Sequence, residues 1–204
     1  TTPIYLSRPL VITQNLTITG GQTRYVTLSG DSNQDGQGEV QVFDLQSGSV
    51  EMRNLIITHG QSTSNKGAGI HVSSQATLIL KNCQLRNNQT RAIYSTDNGG
   101  GLFNEGTVNI QNSTFYKNRA WDGGGIYNAG TLTLVNSTIA EGSAKNYGGG
   151  IHNVGELKIN NSTLAWNKAK ANNSGGGIYN SARLELTNTL IARSYQGGDC
   201  YNSS

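Results

Sequence analysis

Gly125-Ile126-Tyr127-Asn128-Ala129-Gly130-Thr131-Leu132-Thr133-Leu134-Val135-Asn136-Ser137-Thr138-Ile139 is a phrase that recurs along the chain. Its head returns as Gly101-Leu102-Phe103-Asn104, Gly150-Ile151-His152-Asn153 and Gly177-Ile178-Tyr179-Asn180, and successive heads lie 24, 25 and 27 residues apart. After each head comes a short apolar run, then Asn with Ser or Thr: Asn112-Ser113, Asn136-Ser137, Asn161-Ser162, Asn188-Thr189. A unit this short cannot bury an apolar face alone; stacked copies can. Three short strands separated by Gly and Asn turns make each unit one coil of a parallel β-helix.

Aligning the units on the Asn before the third strand extends the repeat in both directions. The column reads Asn15, Asn54, Asn82, Asn112, Asn136, Asn161 and Asn188, which predicts seven to eight coils. Three residues later stands an apolar column of Ile18, Ile57, Leu85, Phe115, Ile139, Leu164 and Ile191. Pairs such as Val50/Met52, Leu78/Leu80 and Leu132/Leu134 precede it with the period-2 alternation of a half-buried strand. The expected fold is all-β: a single-stranded parallel β-helix domain over 1–204. Residues 1–60 read as less regular coils with a loop at 31–39, and 61–204 as the regular coils.

The Asn column is expected at a tight bend, because Asn accepts left-handed backbone better than most residues. Its side chains are expected to point inward and hydrogen-bond as a ladder. On that reading, sequons such as Asn112-Ser113-Thr114 record a turn rule and carry no glycan. The glycine triplets at 99–101, 123–125, 148–150 and 175–177 allow close approach of neighbouring coils. No helix pattern or Lys-Ser/Thr tail follows them, so they are not phosphate loops. Loops of varying length are expected at 118–122, 142–147 and 167–174.

Composition agrees with a solenoid. Only 34% of the 204 residues are hydrophobic and 27 are Gly, which suits thin inner rows stacked coil on coil. The net charge of +3 comes from Lys and Arg scattered without a run. A nucleic-acid partner, which wants a clustered basic stripe, is therefore not expected. No stretch approaches the ~18–20 apolar residues of a membrane helix, so membrane insertion is not expected. The chain begins at Thr1 without Met, which reads as a removed leader or an excised piece. Cys83 and Cys200 lie four to five coils apart, about 20 Å at strand spacing, too far to bridge. Cys83 falls at the Ser position of its coil, and any partner of Cys200 lies outside these residues.

Gly-Gly-Gly-Ile, with Phe115-Tyr116-Lys117-Asn118, Leu85-Arg86-Asn87-Asn88 and Leu164-Ala165-Trp166-Asn167, resembles the GGAI and FxxN repeats of the polymorphic outer membrane protein family of surface adhesins. More broadly, Asn15-Leu16-Thr17-Ile18-Thr19-Gly20 and the coils from Gly101 onward resemble right-handed parallel β-helix repeat proteins of bacterial surfaces. The resemblance implies right-handed winding, in keeping with the chirality of parallel crossovers. It also implies an extracellular or cell-surface location. It differs from the adhesins in having Leu for Phe in two FxxN copies.

Two places carry chemistry. Asp31-Ser32-Asn33-Gln34-Asp35-Gly36-Gln37-Gly38-Glu39 spaces oxygen ligands as a calcium loop does, with Asp31, Asn33, Asp35 and Glu39 as ligands and Gly36 at the sharp turn. The acid of position 12 is replaced by Val42, so the segment reads equally as an Asx/Gly turn. The second place is the column His71, Phe103, Tyr127, His152, Tyr179, expected to face outward with rings stacked at strand spacing. With Trp121, Tyr147 and Trp166 near the same edge, it reads either as a sugar-gripping surface or as a protective ladder. Asp97, Asp122, Arg91, Arg119 and Lys168 are dispersed, and His59, His71 and His152 lack metal spacing. Interrupted Thr rows argue against an ice-binding face.

These features point to a secreted or surface-exposed, non-catalytic module for adhesion or polysaccharide and cell-wall contact, within a larger surface protein. Its partners would be a polysaccharide or a host or cell-surface protein, and calcium its one expected cofactor. Open terminal coils would invite pairing between copies. The alternative is a polysaccharide-active lyase or epimerase of the same shape.

Overall fold

The computed structural model of the chain describes residues 2–21, 23–62 and 66–203. Strands are its only regular elements among the described residues, and they wind through seven turns. A regular turn runs through a first strand (Ile126–Asn128), a second (Thr131–Val135), a third (Thr138–Ala140) and a fourth (Ser143–Ala144). Equivalent strands of successive turns pair in parallel and form sheets of eight, seven, eight and five strands respectively.

Register carries each apolar row straight up the axis. Leu102, Ile126, Ile151 and Ile178 stack in the first sheet. Leu132 lies on Leu157 in the second, and Ile139 on Leu164 in the third. All of these are fully buried. Alternation of inner apolar and outer polar residues is clearest in the second sheet, as in Thr131–Val135.

Four expectations need correction. The fourth strand occupies residues assigned to variable loops: Arg119–Ala120, Ser143–Ala144 and Lys168–Ala169 pair in register. It was illegible because two residues are too few to show a period.

The bend column also behaves differently. Asn54, Asn82, Asn112, Asn136, Asn161 and Asn188 do adopt positive φ, between 47 and 55°. Their side chains point outward, however, and Asn112, Asn136 and Asn161 are exposed. The inward ladders lie elsewhere. Asn104, Asn128, Asn153, Asn180 and Asn202 pass amide hydrogen bonds along the axis at 2.7–2.8 Å. Asn88 and Asn118 link in the same way at the corner after the third strand, where Asn167 Oδ1 accepts from Gly142 N. These buried amides satisfy turn backbone that the core would otherwise leave unpaired.

The third correction concerns the first turn. Leu10–Ile12 pairs with Phe43–Leu45, and Leu16–Thr19 with Gly48–Arg53. Ile18 therefore stacks on Met52, and Leu28 takes the place beside Ile57 that Ile18 was expected to fill. Gly20 stands where later turns have the Asn bend, its N–H donating to Arg53 O, and Asn15 lies outside that column. The extra residues before Val26 break the repeat that the alignment assumed.

The fourth concerns charge. Lys and Arg scattered in sequence gather in space along the fourth strand, as described below.

Cys83 does occupy the Ser column: its N–H donates to Ser113 Oγ, as that of Ser113 does to Ser137 Oγ. Both cysteines are free, Cys83 buried and Cys200 exposed. Among the described residues no helix is long and apolar enough to cross a membrane.

Candidate functional site

The 31–39 loop leaves the third strand of the first turn and returns to the first strand of the second. Its conformation comes from carboxylates accepting backbone N–H groups. Asp31 accepts from Asp35 N at 3.1 Å and Gly36 N at 2.9 Å. Asp35 accepts from Gln37 N at 2.8 Å, and Glu39 from Ser32 N at 2.6 Å. Gln34 and Gly36 have φ of 63 and 87°, which lets the chain fold over the acids. Oxygens of Asp31, Asp35 and Glu39 converge within 4.8 Å of one another. Asn33 is tied to Asp35, accepting from its N–H and donating to its Oδ2. Three anionic oxygen groups at this separation repel one another unless a cation or protons intervene. Hard oxygen donors on a flexible loop are the donor set calcium takes, and the accepting oxygens keep lone pairs free, so the residues fit that ion.

Beside this loop runs a groove of about 410 Å³. Gly36, Gln37 and Gly38 form one wall, and His59, Gln61, Asn87, Gln89 and Lys117 the other. The second wall comes from a column of corner residues that the sequence did not single out. His59, Asn87, Lys117, Glu141, Trp166 and Arg193 all have φ of 49–62° and follow the third strand. Two residues further on, Gln61, Gln89, Arg119, Ser143 and Lys168 stack in the fourth sheet. The signal was the second and fourth residue after each apolar third-strand position.

The aromatic column forms on the outer side of the first sheet. Phe103 stacks on Tyr127 at 4.9 Å, nearly parallel, and Tyr127 meets the His152 ring edge-on at 4.9 Å. His152 meets Tyr179 at 5.0 Å, Tyr147 stacks on Tyr179 at 4.3 Å, and Tyr201 continues the row. Phe103 and His152 are buried by these contacts. The rings thus spend their faces on one another. Trp121 and Trp166 stand apart, on either side of the fourth strand, with Lys145 and Arg193 over their rings.

Two clusters of ionisable side chains include the histidines of the column. His71 is clamped between Asp44 Oδ1 at 2.8 Å and Glu105 Oε2 at 3.0 Å, and Lys66 pairs with Glu105 at 2.6 Å. Burial opposes ionisation of Glu105, but Lys66 and His71 outweigh it and hold its carboxyl below the usual range. Both ring nitrogens of His71 face carboxylates, so neither is open to a substrate. Further along, Asp122 and His152 are buried, with Asp122 Oδ2 3.8 Å from His152 Nδ1. Burial pushes the Asp122 carboxyl up to about 6 and the His152 imidazole down to about 4. Asp97, another dispersed acid, staples its own loop by accepting from Ile93 N and Tyr94 N.

A family model described as a right handed beta helix region matches residues 10–204. The chain belongs to that family. Membership supplies the hand of the winding that parallel pairing alone leaves open. No curated protein and no solved structure matches the chain. In this right-handed β-helix the loop, the corner column and the outward residues of the fourth strand are the positions least constrained by the stacked core.

Proposed function

We propose that this β-helix is an extracellular or cell-surface module that contacts polysaccharide without transforming it, with calcium organising the 31–39 loop. The groove beside that loop carries the reading. Its open wall presents the amides of Gln61, Asn87 and Gln89 with His59 and Lys117. Amides both donate and accept, which suits the hydroxyls of a sugar chain. The resemblance to GGAI and FxxN repeats supports the surface location. The engaged nitrogens of His71 and the burial of Asp122 favour contact over catalysis.

The test is a glycan array with and without chelator, with product analysis of every glycan bound. Calcium-dependent retention of an unchanged glycan, weakened in a Gln61→Ala/Gln89→Ala variant, is expected. Release of unsaturated or epimerised sugar would replace this reading with a lyase or epimerase. Binding to no glycan would remove it.

A further inference from the structure

Ion pairing of the cations differs between two faces of this solenoid. On the second sheet they are neutralised by acids of the same or the neighbouring strand: Arg53 and Lys81 pair with Glu51, Lys158 with Glu185, and Arg183 with Glu156. Along the fourth strand and its flanks they are not. Among the described residues, Arg119, Lys145, Lys168, Lys170 and Arg193 have no ion-pair partner. The one acid in the corner and fourth-strand columns is Glu141, and it is engaged by Lys117 at 3.6 Å and by the Tyr116 hydroxyl at 3.1 Å.

Aromatic rings lie under three of these free cations. Arg193 sits 4.9 Å from the Trp166 ring centre, Lys168 5.3 Å from Tyr195, and Lys145 5.5 Å from Trp121. Trp166 and Tyr195 are 47% and 59% exposed, so ring area remains open beside each charge. Pairing in register places Arg119, Ser143 and Lys168 in line along the axis. This line continues from the polar groove at Gln61 and Gln89.

We infer that this edge is a track for a linear anionic polysaccharide, one whose sugars carry carboxylate or sulfate groups. The inference rests on the polysaccharide reading above and names the class of chain it takes. Turns repeat at about 4.8 Å, close to the length of one pyranose unit in an extended chain, so successive sugars meet equivalent positions. Unpaired cations meet the acid groups, exposed ring area takes the C–H faces, and Asn87, Gln89 and Ser143 meet hydroxyls. A nucleic acid is less well served, because the two exposed rings beside these cations, Trp166 and Tyr195, are too few to stack a run of successive bases.

Binding of the whole chain to polygalacturonate, heparin, neutral dextran and single-stranded oligothymidylate tests this. Retention of polygalacturonate, heparin or both over dextran, weakening as salt rises, is expected. Preference between the two charged polymers separates carboxylate from sulfate. Arg119→Gln/Lys168→Gln/Arg193→Gln should bind about tenfold more weakly or worse, since binding driven by several cations is lost with them. Lys158→Gln/Arg183→Gln, on the neutralised face, should bind as the parent does. Equal retention of dextran, or an unaltered triple variant with the parent's melting temperature, overturns the anionic track and leaves a neutral-glycan module standing. Tighter binding of the oligonucleotide than of either charged polymer also overturns it. Failure to retain any polysaccharide here or on the array removes the glycan reading as well.

Discussion

His152 Nδ1 stands 3.8 Å from Asp122 Oδ2, and neither side chain is more than 11% exposed. The gap is too wide for a hydrogen bond, and His152 Nδ1 is left without a partner. Burial moves the two groups in opposite directions, Asp122 up to about 6 from 3.8 and His152 down to about 4 from 6.5. Between these values the native state holds an extra proton on Asp122, so that contribution to stability is present at low pH and lost as pH rises toward 6. It also lacks a proton that unfolded His152 would take, so that contribution is full above 6.5 and lost as pH falls toward 4. The slopes oppose each other. His152→Phe, which keeps the ring stack, should leave a protein that loses about 2–3 kcal/mol between pH 4 and 6. Asp122→Asn should gain a similar amount over that range. Denaturant unfolding at several pH values reads both.

The acidic loop offers a crossing of signs. Calcium at a hundredfold excess over its dissociation constant should stabilise the chain by about 2.7 kcal/mol. Asp35→Asn removes one of three converging carboxylates. It should therefore melt higher than the parent in chelator and show no rise with calcium. Thermal melts in the two conditions, for both proteins, decide it.

The two asparagine columns should respond to substitution by different physics. Asn128 donates to Asn153 Oδ1, Glu156 O and Gly130 O and accepts from Asn104. Asn128→Ala leaves buried groups unpaired and should cost about 2–4 kcal/mol at 1–3 per orphan. Asn112 is exposed with φ 51°. There Asn112→Gly should be close to neutral, whereas Asn112→Val should cost about 1–2 kcal/mol for left-handed backbone. Unfolding free energies of the three variants separate the roles.

Neighbouring turns approach closely at the inner glycines. A Cβ on Gly125 would lie 2.6 Å from Gly150 O and 3.0 Å from Ile139 Cγ2. Gly125→Ala must push two turns apart and should cost about 1–3 kcal/mol, by analogy with overpacked cores. The loss would appear as a lower denaturation midpoint with an unchanged slope.

Much of this was legible in the chain itself. The inner rows through Ile126, Leu132 and Ile139 could be read off because the repeat is local: each coil writes its own turns and alternation, and stacking only copies them. The acids of the 31–39 loop could be read for the same reason, since Asp31, Asp35 and Glu39, four residues apart, converge through a tight turn. The bend residues Asn112 and Asn136 were placed at the right turn with the wrong facing, because left-handed φ is a local preference and side-chain direction is not.

What only the tertiary structure decided is how columns align across insertions of different length. The extra residues before Val26 moved Ile18 out of its expected row and onto Met52. Stacking brought Lys168 over Tyr195 and Arg193 over Trp166, residues 27 apart in each pair. It also gathered scattered cations along one edge where Glu141 is the one acid of the two columns, while acids on the second sheet neutralised the cations there. Charge complementarity between coils depends on axial register, and register is set by backbone pairing along the whole solenoid, beyond the reach of any single repeat.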